Sequence, residues 1–146
     1  MNRQIRFICL GVIFSLSLLP GCSTRPDPRN TINKFITAVD QSDTTFLAEH
    51  LDFQALLEKS LEGFLEKDKE ELFPQLRQQL LTSFTNDGLT RMHWKSNLIV
   101  VGKSEVAGDS ATVEVTYLNK SSGTRDYTRI GLFFKDGKWK IYNLKL

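Results

Sequence analysis

The chain is poor in the residues that make chemistry conspicuous. Of its 146 residues only two are cysteine and two histidine, so neither a disulfide framework nor a convincing Cys/His metal cluster can be built from it. P-loops, G-x-S-x-G elbows, H-E-x-x-H and Gly-rich phosphate loops are all absent. No catalytic residue, metal ligand or cofactor follows from motif. Long apolar runs are missing too: residues 5–19 are fewer than the roughly twenty a spanning helix needs, and Pro20 and Gly21 close them without a basic flank.

An excess of one charge is also lacking. The formal net charge of +2 comes from Arg3 and Arg6, and the chain from Cys22 onward sums to zero. The basic pI therefore gives no argument for a nucleic-acid partner, and none is expected. What remains is unevenly distributed. Residues 30–90 hold five basic and eleven acidic side chains, residues 91–146 ten and five. Acidic helices beside a basic sheet are the plainest account. The run Glu66–Glu71 reads as a solvated face, with a protein-docking surface as the sharper alternative.

What is present begins at the N-terminus. Arg3 and Arg6, the chargeless stretch Phe7–Leu19 and a small residue before a cysteine form the order of a secretory signal. The sequence Leu19-Pro20-Gly21-Cys22-Ser23 resembles a bacterial lipoprotein signal. The resemblance implies cleavage between Gly21 and Cys22, lipidation of Cys22 (palmitate among its acyl chains), and a membrane anchor through that lipid. Ser23 lacks the Asp of an inner-membrane retention signal, which implies a cell outer membrane location facing the periplasm. On that resemblance Cys9 would leave with the signal, and if Cys22 is acylated the domain must hold together by burial alone. The expected organisation is a signal at 1–21, a lipidated cysteine and extended tether at 22–29 (STRPDPR after the cysteine, with no apolar side chain), and one α+β domain at 30–146.

Within that domain, helices are expected over 30–92 and an antiparallel sheet over 97–146. Asp27 or Asn30 can cap a first helix that tolerates Pro28 in its first turn; its apolar stripe is Ile32, Phe35, Ile36 and Val39. Ser42 or Asp43 caps a short second helix with Phe46 and Leu47. Asp52 caps a third with Phe53, Leu56, Leu57, Leu61, Phe64 and Leu65 inward. Pro74 breaks the run, and Leu76, Leu80, Leu81 and Phe84 belong to a fourth, ended by Thr85-Asn86-Asp87-Gly88. Beyond His93 the period changes to two, with turns at Gly108-Asp109, Ser121-Ser122 and Asp136-Gly137. Four strands follow, near 97–107, 110–119, 124–135 and 138–145.

Treating each turn as a two-residue loop sets a register: Val106–Ala111, Ser104–Val113, Val113–Ile130, Val115–Thr128, Ile130–Asn143, Leu132–Ile141 and Phe134–Trp139. One face then collects Val100, Val106, Val113, Val115, Ile130, Leu132, Phe134, Trp139 and Ile141. The other carries a row Lys103–Glu114–Arg129. Gly102 marks a bulge or bend.

Helices followed by a meander ending Asp136-Gly137-Lys138-Trp139-Lys140-Ile141 resemble the nuclear-transport-factor-2-like (NTF2-like, cystatin-like) superfamily. Ala38-Val39-Asp40 and the Leu51–Leu57 segment further resemble a bacterial family of uncharacterised domains. The resemblance implies helices over the concave side of a curved four-stranded sheet, a cone-like roll, and brings no catalytic residue. Some cone-shaped relatives are enzymes that use an Asp–His pair for proton transfer, so His50 and His93 are the candidates for that alternative. The inner face has five polar members, Ser104, Tyr117, Asp126, Thr128 and Asn143. They could line a small pocket; alternatively Tyr117 and Asp126 lie at a fraying sheet end and Asn143 bonds a helix terminus. The functional expectation is a lipid-anchored envelope domain that binds a small apolar ligand or an envelope protein without catalysis.

Overall fold

The computed structural model describes residues 25–144; the expected cleavage site Gly21 and lipidation site Cys22 lie outside them, while the last strand ends within them, at Asn143 rather than the expected 145. The described chain is α+β, as expected: five helices, one more than expected, pack on one face of a curved four-stranded antiparallel sheet. The helices are α1 (Pro28–Gln41), α2 (Thr44–His50), α3 (Phe53–Leu61), α4 (Glu66–Phe84) and α5 (Leu89–Lys95). The strands are β1 (Asn97–Ala107), β2 (Ser110–Asn119), β3 (Arg125–Lys135) and β4 (Lys138–Asn143) in the order β1-β2-β3-β4.

Three short polar residues set where helices begin. Asp27, Asp43 and Asp52 accept from the backbone N–H of Arg29, Phe46 and Ala55 at the starts of α1, α2 and α3, replacing partners that a first helical turn lacks. Asp52 also donates its own N–H to the carbonyl of Ile141 at 2.8 Å, so this cap ties helix to sheet. The boundary between α3 and α4 departs from expectation. Gly63 takes φ 86°, ends α3 early, and leaves Phe64 and Leu65 exposed rather than inward. The run from Glu66 then opens α4, its Glu66 and Asp68 placed where negative charge favours a helix N-terminus. Pro74 lies inside α4 instead of ending it, on an exposed turn where the missing N–H bond is tolerated. A short α5 also follows the Gly88 turn, and it buries Trp94.

The predicted strand boundaries and most of the register hold. Val106 pairs with Ala111, Ser104 with Val113, Val113 with Ile130, Val115 with Thr128, Leu132 with Ile141 and Phe134 with Trp139. The Asp136-Gly137 turn has both residues at positive φ, 54° and 77°, the conformation that a twisted two-residue hairpin demands. Two bulges produce the differences. Between Val101 and Ser104 the register shifts, at the predicted Gly102, so Ile99 and Val101 turn toward the core while Val100 is exposed. Val106 keeps its inner register position opposite Ala111 but is exposed. Lys103 sits in the bulge, so the charged row reduces to Glu114 and Arg129, 3.5 Å apart. A second shift between Gly131 and Leu132 pairs Asn143 with Gly131, not Ile130.

The core is aromatic at its centre. Phe35 meets Phe84 and Trp94 edge-on at 5.5 and 5.3 Å, and Trp94 meets Tyr117 at 5.8 Å. With Leu47, Leu57, Val113, Val115, Ile130 and Ile141, these side chains fill the space between helices and sheet.

The expected tether is docked for most of its length. The Arg25 guanidinium bonds the Gly108 carbonyl, pairs with Asp109 at 2.6 Å and lies 5.0 Å from the centre of the Phe134 ring. Trp139, 1% exposed, donates its indole N–H to the Pro26 carbonyl at 2.6 Å. Asp27 caps α1, and Pro28 is buried within it. The reading of residues 25–29 as a free spacer is therefore corrected: they belong to the domain.

Candidate groove between the first helix and the sheet edge

In a four-stranded meander the first strand has one neighbour, and β1 is such an edge. Beside it runs α1, and the two do not close on each other. At one end a cleft of about 360 Å³ is lined by Ile36, Val39 and Asp40 of α1, Trp94 and Lys95 of α5, Asn97, Leu98 and Ile99 of β1, and Lys120. At the other end a cleft of about 350 Å³ is lined by Asp27, Arg29, Asn30 and Asn33 against Ile99, Val100 and Val101. Ile99 lines both, so the two form one groove with the edge of β1 as its floor or wall. Among the described residues, no hydrogen bond from outside the β1–β2 ladder reaches a backbone group of β1. The outward amides and carbonyls of that edge remain available for pairing.

The walls are held by specific contacts. Arg91 donates through Nε to the Val39 carbonyl at 2.9 Å and through Nη2 to the Asp40 carbonyl at 2.7 Å, which fixes the C-terminal end of α1 against α5. Lys120 caps α5 by donating to the Lys95 carbonyl at 2.7 Å. Buried Asn97 donates to the His93 carbonyl at 2.6 Å. The ends of the groove are charged: Lys95 stands 3.8 Å from Asp40 at one, and Arg29 pairs with Asp27 at the other. Hydrogen bonding to Arg29 holds the Asp27 carboxyl below its ordinary range. The middle is neutral, with Asn33 and Ile36 facing Ile99 and Val101.

The five polar residues expected on the inner face are not brought together. Tyr117 is buried under Trp94, and its desolvated phenol is pushed up to about 12. Ser104 and Thr128 are half-buried, Asp126 and Asn143 exposed. The Thr128 hydroxyl oxygen is buried without a hydrogen-bond partner. None of the five lines either cleft of the groove.

The histidines occupy different settings. His50 stacks on Phe46 with ring centres 3.9 Å apart, and its Nδ1 lies 3.1 Å from the Phe46 carbonyl. Burial lowers its pKa, and only a protonated Nδ1 can donate to that carbonyl, which accepts. It borders a cleft of about 370 Å³ with Lys34, Lys138 and Asn30, and no Asp or Glu lines that cleft. Neighbouring Glu49 is engaged by Lys138. His93 is exposed in the last turn of α5, with its ring 6.2 Å from that of Tyr117. An Asp–His pair for proton transfer is not assembled in the His50 cleft.

Motif reading missed the groove because its chemistry is backbone chemistry. The available signals were indirect: the first strand of a meander is an edge, and Gly102 marks where its regular ladder stops.

No protein-family profile matches the chain, and no curated protein matches it. Among solved structures it is similar to a Campylobacter jejuni protein provisionally described as an NTF2-like transpeptidase. The identity is 16%, the match covers 80% of this chain and 97% of that one, and the TM-score is 0.47. So distant a likeness carries no argument about activity.

Proposed function

We propose that this chain is a lipid-anchored envelope protein whose NTF2-like domain is a non-enzymatic interaction module. Cys22 is the acylated residue and the outer membrane, facing the periplasm, is the location implied by the Leu19–Ser23 junction. The partner presents an extended polypeptide segment that lies in the α1–β1 groove and adds to the edge of β1. The observation that carries this reading is the unpaired backbone edge of Asn97–Val101 running beside the apolar side chains of α1. Strand addition draws affinity from main-chain hydrogen bonds and selectivity from alternate side-chain pockets. The filled core speaks against a small apolar ligand held inside the cone.

The test is peptide selection from a random displayed library on the detergent-solubilised lipidated protein, followed by amide hydrogen exchange. Slowed exchange at Asn97–Val101 is expected with the selected peptides. Protection confined to other strands, or a library that yields no binder, rejects the groove. The anchor is checked separately by metabolic acyl labelling, which Cys22→Ala should abolish.

A further inference from the structure

The docked N-terminal segment has a geometric consequence for how the domain sits on a membrane. If residues 23–29 were a free spacer, the domain could tumble well clear of the lipid. Arg25, Pro26, Asp27 and Pro28 are instead fastened to the domain. Only Ser23 and Thr24 separate that fastening from Cys22. Three residue steps reach about 11 Å at full extension.

The fastening point lies at one end of the sheet. Arg25 grips the β1–β2 turn at Gly108 and Asp109, and Pro26 is held by Trp139, two residues past the β3–β4 turn. The β2–β3 turn at Ser121-Ser122 is at the opposite end, because β2 runs ten residues between them. At about 3.3 Å per residue that is roughly 33 Å, three times the reach of the leash.

From this we infer that the anchored domain is seated end-on, with the β1–β2 and β3–β4 turns against the bilayer surface and the β2–β3 turn pointing away. The inference rests on the proposed lipid anchor at Cys22. The surface chemistry of the near end is mixed, with exposed Asp136 in the β3–β4 turn and exposed Glu105 beside Val106, but apolar and cationic groups accompany them. Val106 and Phe133, both exposed, stand within two rungs of the turns, paired with Ala111 and Ser110. Exposed Lys135 and half-buried Lys140 lie on the adjoining strands without an ion pair among the described residues. Apolar groups flanked by long cationic side chains suit the headgroup region of an anionic bilayer. The groove then runs outward from the membrane, with its Asp27–Arg29 end near the lipid and its Lys95–Lys120 end far from it.

The experiment uses lipidated full protein in vesicles of phosphatidylethanolamine and phosphatidylglycerol that carry a nitroxide-headgroup quencher. One cysteine is introduced for a fluorophore, as Val106→Cys, Ser122→Cys or Tyr127→Cys. Quenching of the Val106 label should exceed that of the Ser122 label several-fold, with the Tyr127 label resembling Ser122. A ten-residue Gly/Ser insertion after Thr24 should bring the ratio toward one, and an unchanged ratio would remove the short leash as the cause. Equal quenching at all three sites, or stronger quenching at Ser122 or Tyr127, overturns the seating while leaving the anchor intact. If wild type does not float with the vesicles, or Cys22→Ala floats equally well, the anchor reading itself fails and takes the seating with it.

Discussion

Trp139→Phe is the substitution that most directly tests how the N-terminal segment is joined to the core. Trp139 is 1% exposed, lies edge-on to Phe134 at 5.1 Å and donates to the Pro26 carbonyl at 2.6 Å. Phenylalanine keeps the six-membered ring but removes the pyrrole half of the indole. The lost apolar contact in a site that cannot collapse completely costs about 1.5 kcal/mol. The lost hydrogen bond costs about 1 kcal/mol, provided water reaches the freed Pro26 carbonyl. The sum is about 2.5 kcal/mol, which for a domain of this size lowers the melting temperature by roughly 10 °C.

Stability alone would not separate this account from simple loss of core volume. The second readout is amide exchange at Asn30 and Thr31, in the first turns of α1. Exchange there should rise by more than global destabilisation predicts, because the clamp upstream has been released. The single remaining tryptophan, Trp94, is buried under Phe35 and Tyr117 and should report a native core by its emission. A loss below about 1 kcal/mol, or a start of α1 no more labile than the rest of the helix, would refute the reasoning.

Two further outcomes follow from single atoms. The buried hydroxyl of Thr128 has no partner, so Thr128→Val should raise the urea midpoint by the equivalent of about 1 kcal/mol; a destabilised variant would contradict the observed environment. Tyr117, pushed up to about 12 by burial, should titrate in absorbance near that value, and the step should vanish in Tyr117→Phe. The unfolded chain releases its phenolic proton from about pH 10, earlier than the native state. Native stability should therefore fall as pH rises from about 10 toward 12, and a flat profile in that window would count against the burial.

The sheet was legible because its information is local and redundant. Three turns at fixed spacing and a period-two pattern have to agree, and slipping one hairpin would expose Val113, Val115, Ile130 and Leu132 together. The caps at Asp27, Asp43 and Asp52 were legible for the same reason, since a short polar residue before an apolar stripe has one common use. Two kinds of error arose where the signal was not local. The α3–α4 boundary was misplaced because Pro74 is a stronger breaker in sequence than Gly63, although in the folded chain Gly63 takes a left-handed φ while Pro74 stays helical. The segment from Arg25 to Arg29 read as a spacer because it has no strongly apolar side chain. Its docking instead uses a backbone carbonyl, a helix cap and a guanidinium, none of which a hydropathy pattern registers. The five polar residues expected on the inner face divide by burial: Tyr117 is buried, Ser104 and Thr128 are half-buried, and Asp126 and Asn143 are exposed, the last displaced by the bulge at Gly131.

An unpaired strand edge is ordinarily a liability, because it invites pairing with any extended chain. Here the bulge at Gly102 interrupts the ladder after Val101, and exposed Lys103 and Glu105 follow it. Those features discourage pairing along the second half of β1. The first half, Asn97–Val101, is apolar after its leading Asn97 and is flanked by α1. At about 3.3 Å per residue it offers roughly 17 Å of edge, enough for a segment of about five residues. A partner strand must therefore fit between α1 and β1, and must end or turn where the bulge begins. That geometry restricts what can bind without closing the edge, and it predicts that replacing Gly102 and Lys103 with residues that restore a regular ladder would widen the range of peptides accepted and promote self-association.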